Sequence, residues 1–353
     1  MSFSRWWMPL LFLAASLLSA CERGPALVQR EAYVFGTRVE VSVWGKPAQK
    51  AEQGLSAVLA EFDRLHRMLH AWQPSELTAL NAAIARGERE ITVSPELAFM
   101  LRDAADIAAR SDQLFDPALG GLVALWGFHA DEFKPQLPDP AALAALMRTP
   151  PRMADLTIAD NRVTSANRAV QLDLGGYAKG YALDRAAAIL KQMGINNALI
   201  NIGGNVMALG AKGGQPWRVG IQHPRAAAPL AALDLRDGEA IGTSGDYQRY
   251  FELNGRRYCH LIDPRSGQPV AGVQAVSVLV RPRAGINNVG ALSDAASKPL
   301  FIAGAGQWRD LARRLGIEYA LRIDADGVMR VTPALRERLT LLATDIQVEV
   351  APL

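Results

Sequence analysis

Two hydrophobic periods divide this chain, and their order restricts its fold more than any other feature. Val39, Val41 and Val43 alternate with polar neighbours in RVEVSV, the period of a strand with one buried face. Leu55, Val58, Leu59, Phe62, Leu65 and Leu69 then recur every three or four residues, the apolar stripe of a long helix. Ser94 before Pro95, and Asp139 before Pro140, place a capping side chain ahead of a proline at the first helical position. They predict two further helices, in SPELAFMLRDAADIAARS and DPAALAALMRT. From residue 155 onward short strand-like runs take over: LTIADNRVTS, AVQLDLG, NALINIGG, WRVGIQ, PLAALDL and AVSVLV. Asn254-Gly255 separates two such runs and predicts a tight hairpin. Helices return after Asn288 and in QWRDLARRLG, and IDADGVMRV reads as a late hairpin. Strands and helices are mixed without regular alternation, so the pattern predicts an α+β domain rather than a doubly wound parallel sheet. There is no internal repeat, and the proline-rich EFKPQLPDP is a surface loop within the domain.

Half of the 353 residues are hydrophobic, enough for the core of one large domain or two modest ones. The formal net charge is only +3 and no lysine/arginine cluster stands out, which argues against nucleic acid as a partner. The N-terminus, MSFSRWWMPLLFLAASLLSAC, has a lone Arg5, an apolar run from Trp6 to Leu18, and small residues before Cys21. It is too short for a membrane-spanning helix and reads as an export signal. Its LSAC ending resembles the lipobox of bacterial lipoproteins, in which the cysteine is lipidated and becomes the first mature residue. An ordinary secretory signal with a cysteine near its cleavage site is the alternative. The expected organisation is a signal peptide over 1–20, a lipid-anchored tether over 21–32, and a folded domain over 33–353 beginning at Tyr33. This places the protein on the periplasmic side of a bacterial membrane, inner or outer being undecided. With Cys21 acylated, Cys259 is the only remaining thiol and no intramolecular disulfide can form.

The stretch DLGGYAKGYALD, Asp173 to Asp184, puts an acid, two glycines and a lysine within seven residues. Gly175 and Gly176 permit close backbone approach, a helix start offers free N–H groups, and Lys179 can reach an anionic oxygen. Asp173 can accept hydrogen bonds from a ribose or a ring. The stretch suits a phosphorylated ligand, although neither standard glycine-rich fingerprint applies, and a structural turn explains it equally well. NIGGN, Asn201 to Asn205, supplies a second glycine pair at a strand end. Thr243, Ser244 and Gly245 in GTSGDYQRY form a polar loop able to bind phosphate. His260 lies on a strand in CHLIDPRSGQP, with Asp263 at its end. Asp294, Ser297 and the Lys298 carbonyl fall on one helical turn, a donor set suited to Mg²⁺ shared with phosphate. An exposed helix charge is the simpler reading of Asp294 alone. Cys259 and His260 are strand neighbours on opposite faces and cannot form a nucleophilic pair. His66 and His70 on a helix, and His129 and His223 in loops, carry no functional signal.

Together DLGGYAKGYALD, NIGGN, TSGDYQRY followed by HLIDPRSGQP, and SDAASKPLFIAG resemble, in order and spacing, the ApbE family of FAD:protein FMN transferases. The resemblance runs from VFGTRVEV to PLFIAG and includes FDPALGGLVALWGF. It implies a monomeric α+β domain, related to the T-fold, with a flavin-binding cleft and a Mg²⁺ site. It further implies transfer of FMN from FAD to a threonine or serine of a periplasmic flavoprotein subunit, of the redox-driven ion-pump or respiratory-complex type. Phe35, Trp72, Leu114, Phe115, Asp116, Asp173, Lys179 and Ile262 match positions that contact FAD, although from sequence alone Phe35 and Trp72 read as core residues. Gly176, Asp294, Ser297 and Lys298 match the metal positions. Lys298 stands where threonine is usual, so only its carbonyl could ligate, as at Gly176.

The mechanism expected on this basis is attack by the acceptor hydroxyl on the FMN-side phosphorus, with AMP leaving. Mg²⁺, Lys179 and the N–H groups of Thr243 to Gly245 would share the charge. His260 is the expected base, its ordinary pKa lying near working pH, with hydrogen bonding to the pyrophosphate as its other role. Asp263 could orient a ring or bind flavin. Water in place of the hydroxyl would give an FAD pyrophosphatase, and a flavin-binding lipoprotein without chemistry is the non-enzymatic alternative.

Overall fold

The valine alternation of RVEVSV builds the second strand of a nine-stranded sheet. The computed structural model describes residues 26–130 and 132–353, so Cys21 and the signal peptide lie outside the described residues. The sheet strands are β1 (Leu27–Val34), β2 (Thr37–Trp44), β3 (Ala198–Ile202), β4 (Asn205–Leu209), β5 (Ala240–Gly245), β6 (Val273–Val280), β7 (Tyr319–Asp324), β8 (Met329–Val331) and β9 (Val348–Val350). Their spatial order is their chain order, and every neighbouring pair is antiparallel except β8 with β9. The helices are insertions into this meander. Between β2 and β3 come α1 (Ala48–Leu69), α2 (Glu76–Arg86), α3 (Pro95–Arg110), α4 (Gly120–Leu125), α5 (Pro140–Arg148) and α6 (Ala178–Gln192). Between β6 and β7 come α7 (Val289–Ile302) and α8 (Trp308–Leu315).

Side chains alternate across the sheet, so each strand serves two cores. Ile200, Ile202, Val276 and Val278 join Val39, Val41, Val43 and the α1 stripe, Leu55 to Leu69, in the main core under α1, α6 and α7. Leu199, Val206, Ile241 and Leu279 face the other way, onto a three-stranded sheet formed by Trp217–Gln222, Pro229–Leu235 and Leu339–Leu341. A third cluster, with Trp126, Phe128, Phe251 and Tyr258, ties α4 to the hairpin Tyr250–Leu253/Arg256–Cys259. Fully burying a side chain such as Phe62 contributes about 1.5–3 kcal/mol.

Most sequence expectations are realised. Ser94 Oγ accepts the Leu97 N–H and Asp139 Oδ1 the Ala141 N–H, so both Pro-led helices are capped as expected. Asn254 and Gly255 take φ of 52° and 73°, as a two-residue hairpin turn requires. Two expectations need correction. Among the described residues the fold is already established at Leu27, ahead of Tyr33: β1 pairs with β2 along its whole length. Its signal is weak because it is an edge strand, and of its residues only Val34 is fully buried. The glycine pair of NIGGN is a hairpin turn between β3 and β4, with φ of 58° at Gly203 and 93° at Gly204, rather than a ligand loop. Helix α2 gives no long apolar stripe; the Ser75/Thr78 capping box marks its start.

Insertions end in α6 and begin in α7, and these two helices cross at van der Waals contact. A Cβ on Gly180 would lie 2.2 Å from the Gly290 carbonyl oxygen, and one on Gly290 2.4 Å from the Gly180 oxygen. Gly180→Ala should therefore push two backbones apart and cost about 1–3 kcal/mol or more, lowering the thermal midpoint. Gly121→Ala, whose Cβ would meet nothing nearer than 3.6 Å, should leave the midpoint nearly unchanged. Equal midpoints for both variants in thermal unfolding would contradict this crossing.

Candidate active site

Each of the two crossing helices is capped by a carboxylate from the other. Asp184, the last residue of DLGGYAKGYALD, accepts the Gly290 and Ala291 N–H groups at the start of α7, both at 2.8 Å. Asp294, in the second turn of α7, accepts the Gly180 N–H at the start of α6 at 3.0 Å. Helix N-termini leave N–H donors unpaired and carry partial positive charge, so both carboxylates are well placed. Burial nonetheless pushes the Asp184 carboxyl up to about 7. Asp294 is fully buried, which corrects the exposed-charge reading. Burial acts to raise its pKa, but Lys179, Lys298 and the Gly180 N–H outweigh it and hold the carboxyl below the usual range.

The four residues expected to hold Mg²⁺ do come together, but the side-chain oxygens among them are already bonded. Lys298 Nζ bonds Asp294 Oδ1 and lies 2.8 Å from the Asp294 carbonyl oxygen. The other carboxylate oxygen receives Gly180 N–H. Ser297 Oγ sits between Ser244 Oγ and the Asp294 carbonyl oxygen, 2.7 Å from each. Lys298 lies inside α7, so its carbonyl points along the helical ladder. Its stem fills the space at Gly176, where a Cβ would lie 3.3 Å from Lys298 Cε. Mg²⁺ demands near-octahedral oxygen ligands at about 2.0–2.1 Å, and this set does not fit it. Among the described residues no group of three or more His, Cys, Asp or Glu could hold a metal ion. Burial pushes the Lys298 ammonium down to about 8, against the opposing pull of Asp294.

Lys179 opens α6 with its Nζ 3.0 Å from the Gly175 carbonyl oxygen. His260 follows the hairpin strand, with Nδ1 3.2 Å from the Arg249 carbonyl oxygen and its ring edge-on to Phe128. An Nδ1–H donated to that carbonyl leaves Nε2 as an acceptor. The expectation of an ordinary imidazole is corrected. Burial, then the charges of Arg249, Lys179 and Lys298, push its pKa down to about 3. Asp263 does not orient this ring; it is engaged with Arg265 at 2.7 Å.

On the other side of the DLGGYAKG turn runs a ribbon of rings. Phe35 meets His66 at 5.6 Å, His66 meets His70 at 5.1 Å, His70 meets Trp72 at 4.6 Å, and Trp72 stacks on His129 at 5.2 Å. His129 Nε2 lies 2.9 Å from Asp173 Oδ2, and Asp173 Oδ1 accepts the Gly175 N–H at 2.7 Å. Burial acts to raise the Asp173 pKa, yet His129, Gly175 and Arg249 hold it below the usual range. Trp72 is 39% exposed and leaves an open aromatic surface on this ribbon. His129 and Arg249 are functional candidates that periodicity does not reveal, because their partners lie far away in sequence.

The remaining expected residues play supporting parts. Leu114 and Phe115 are buried in the main core, Phe115 beside Gly176. Asp116 is tied to the Ala118 and Met153 N–H groups, and burial pushes it up to about 7. Ile262 packs into the third cluster. Thr243, Ser244 and Gly245 are not a phosphate loop. They form the end of β5, paired to β6, with the Thr243 N–H taken by Asn205 Oδ1 and the Thr243 hydroxyl by Ser277. Ser244 instead supports Ser297 from beneath. A separate hollow of about 440 Å³ lies at the far end of α7, where Arg322 already binds Asp324 and the carbonyls of Leu300 and Ala303.

Comparison with known proteins finds relatives in both sequence and fold. The ApbE family model matches residues 35–321. The chain is 47% identical over 307 residues to an FAD:protein FMN transferase of Rhodobacter capsulatus, covering 87% of this chain and 57% of that protein's length. It is 33% identical to one of Treponema pallidum, covering 89% of each. The solved ApbE protein of Thermotoga maritima superposes with a TM-score of 0.78 at 27% identity, over 89% of this chain and 99% of that one. The flavinyl transferase ApbE of Pseudomonas stutzeri superposes with a TM-score of 0.76 at 29% identity, over 89% and 97%. With the family model matching most of the chain and the fold shared, this chain belongs to the ApbE family.

Proposed function

We propose that this chain transfers the FMN half of FAD to a threonine or serine hydroxyl of a target flavoprotein, releasing AMP. One observation carries the reading. The aromatic ribbon ending at Trp72, His129 and Asp173 joins the lysines Lys179 and Lys298, which flank the neutral His260, through a single turn, Asp173 to Lys179. A ligand with a flat ring at one end and a pyrophosphate at the other matches that layout. The relatives named FAD:protein FMN transferase support it.

In this reading Trp72 presents its open surface to the isoalloxazine ring, and Asp173, held by His129 and Gly175, accepts from ring or ribose. Lys179 has one N–H on Gly175 and two left for pyrophosphate oxygens. The acceptor oxygen forms a bond to the FMN-side phosphorus, the P–O–P bridge breaks, and AMP leaves carrying the bridging oxygen. The hydroxyl proton passes to Nε2 of the neutral His260. Anionic phosphate beside Lys179, Lys298 and Arg249 offsets the charges that depress this imidazole, strengthening it as a base once FAD is bound. No step is routed through Mg²⁺, whose expected side-chain ligands are otherwise engaged. The target is a flavoprotein on the periplasmic side. The LSAC run supports anchoring there through Cys21, and among the described residues no helix is long and apolar enough to cross a membrane.

Incubation with FAD and a threonine-bearing target should yield protein-bound FMN and AMP in equal amounts. Free FMN with AMP would mean hydrolysis, and unchanged FAD would mean binding alone. His260→Ala should slow single-turnover transfer by about a hundredfold to ten-thousandfold while leaving FAD affinity nearly unchanged. Affinity falling in step with rate would make His260 a pyrophosphate binder. Since its neutral form exists well above a pKa of about 3, kcat/KM for FAD should show no acid limb centred near the ordinary histidine value of about 6.5. Trp72→Ala should weaken FAD binding by about tenfold to a hundredfold with a smaller effect on kcat. Cys21→Ala should move the protein from the membrane fraction to the soluble one and leave transfer intact; unchanged fractionation would contradict anchoring.

A further inference from the structure

We propose that Lys298 is the built-in cation of this site, its ammonium taking the position a divalent metal ion would occupy beside the FAD pyrophosphate, so that transfer proceeds without Mg²⁺. The inference rests on the transferase reading and adds the source of positive charge. Lys298 Nζ holds the one carboxylate of the cluster through Asp294 Oδ1 and also meets the Asp294 carbonyl oxygen, an i, i+4 contact within one helix. Two of its three N–H donors are thereby engaged, and the third is left for a phosphate oxygen. The side chain is 12% exposed and that of Asp294 fully enclosed, so the pair is shielded from competing solvent.

The side-chain oxygens that could complete a metal shell are engaged elsewhere. Asp294 Oδ2 has the Gly180 N–H, and Ser297 Oγ has Ser244 and the Asp294 carbonyl. At Gly176 the available space is filled by the lysine's own methylenes. A metal could enter only by displacing the ammonium, which would leave a buried lysine charge without its partner, an arrangement proteins avoid. In the transfer step Lys298 and Lys179 together meet the charge that develops as AMP leaves, and the proton still goes to His260. The geometry asks no additional reactant of the site.

The test uses the full chain and Mn²⁺ as the probe, in two readouts. Mn²⁺ titration by electron paramagnetic resonance, with and without FAD and corrected for Mn²⁺ bound by FAD alone, should show no protein-dependent binding to wild type. Single-turnover transfer by wild type should be the same within about twofold in excess chelator and in millimolar Mg²⁺. Lys298→Thr frees Asp294 Oδ1 and adds an oxygen. It should gain a Mn²⁺ site and run at least about tenfold slower in chelator than in Mg²⁺. Stoichiometric Mn²⁺ binding to wild type that is lost in Asp294→Asn, or abolition of wild-type transfer by chelator, would overturn the proposal. Wild type that produces no FMN adduct under any condition would instead remove the transferase reading. The Mn²⁺ titration of wild type would then still decide the cation question, even if Lys298→Thr failed to fold.

Discussion

Reciprocal capping of two helices by buried carboxylates is the interaction on which this site depends. Asp184 closes the start of α7 and Asp294 closes the start of α6. An exposed charge at a helix N-terminus contributes about 0.3–1 kcal/mol, rising to about 2 kcal/mol where it is partly buried. Here the contacts are made at a crossing so close that only glycine fits at positions 180 and 290. Removing either acid would leave N–H groups buried and unpaired as well as losing the attraction. The helices therefore have little freedom to slide, and Lys179, one residue before Gly180, is held at a set place relative to Asp294 and Lys298.

That placement determines the electrostatics of the cleft. Lys179, Lys298 and Arg249 crowd a buried imidazole and keep His260 neutral, which leaves Nε2 able to take a proton. In the proposed function the same cations would receive the pyrophosphate, and its charge would improve an imidazole that is a poor base in the empty site. Between the aromatic ribbon and this cluster stands Asp173, whose two oxygens each take one hydrogen bond, with His129 and from the Gly175 N–H, and keep a lone pair for a ligand. The proposed ring recognition and phosphate chemistry thus fall on two ends of one short turn.

How much of this was legible in the sequence depends on the range of the interaction. Local rules read well: the RVEVSV alternation, the α1 stripe, the Ser94 and Asp139 caps and the Asn254-Gly255 hairpin all appear as expected, because each is decided within a few residues. Edge strand β1 escaped because it buries little. Motif resemblance located Asp173, Lys179, His260, Asp294 and Ser297 near one another, but not what they do there. Thr243 to Gly245 looked like a loop because glycine and hydroxyl residues favour turns, yet sheet pairing overrode that preference. His129 reads as an ordinary loop histidine until folding brings it to Asp173, forty-four residues away. The depressed His260 and the Lys298–Asp294 pair likewise arise from tertiary burial, which no local pattern reports.

A crystal structure of the FAD complex tests the central claim most directly. The account requires the isoalloxazine ring against Trp72 near Asp173, the pyrophosphate within hydrogen-bond reach of Lys179 and Lys298, and His260 Nε2 facing the FMN-side phosphorus with room between them for the acceptor hydroxyl. It also requires Lys298 still bonded to Asp294. A flavin bound elsewhere, such as the hollow beside Arg322, or a pyrophosphate out of reach of both lysines, would contradict it.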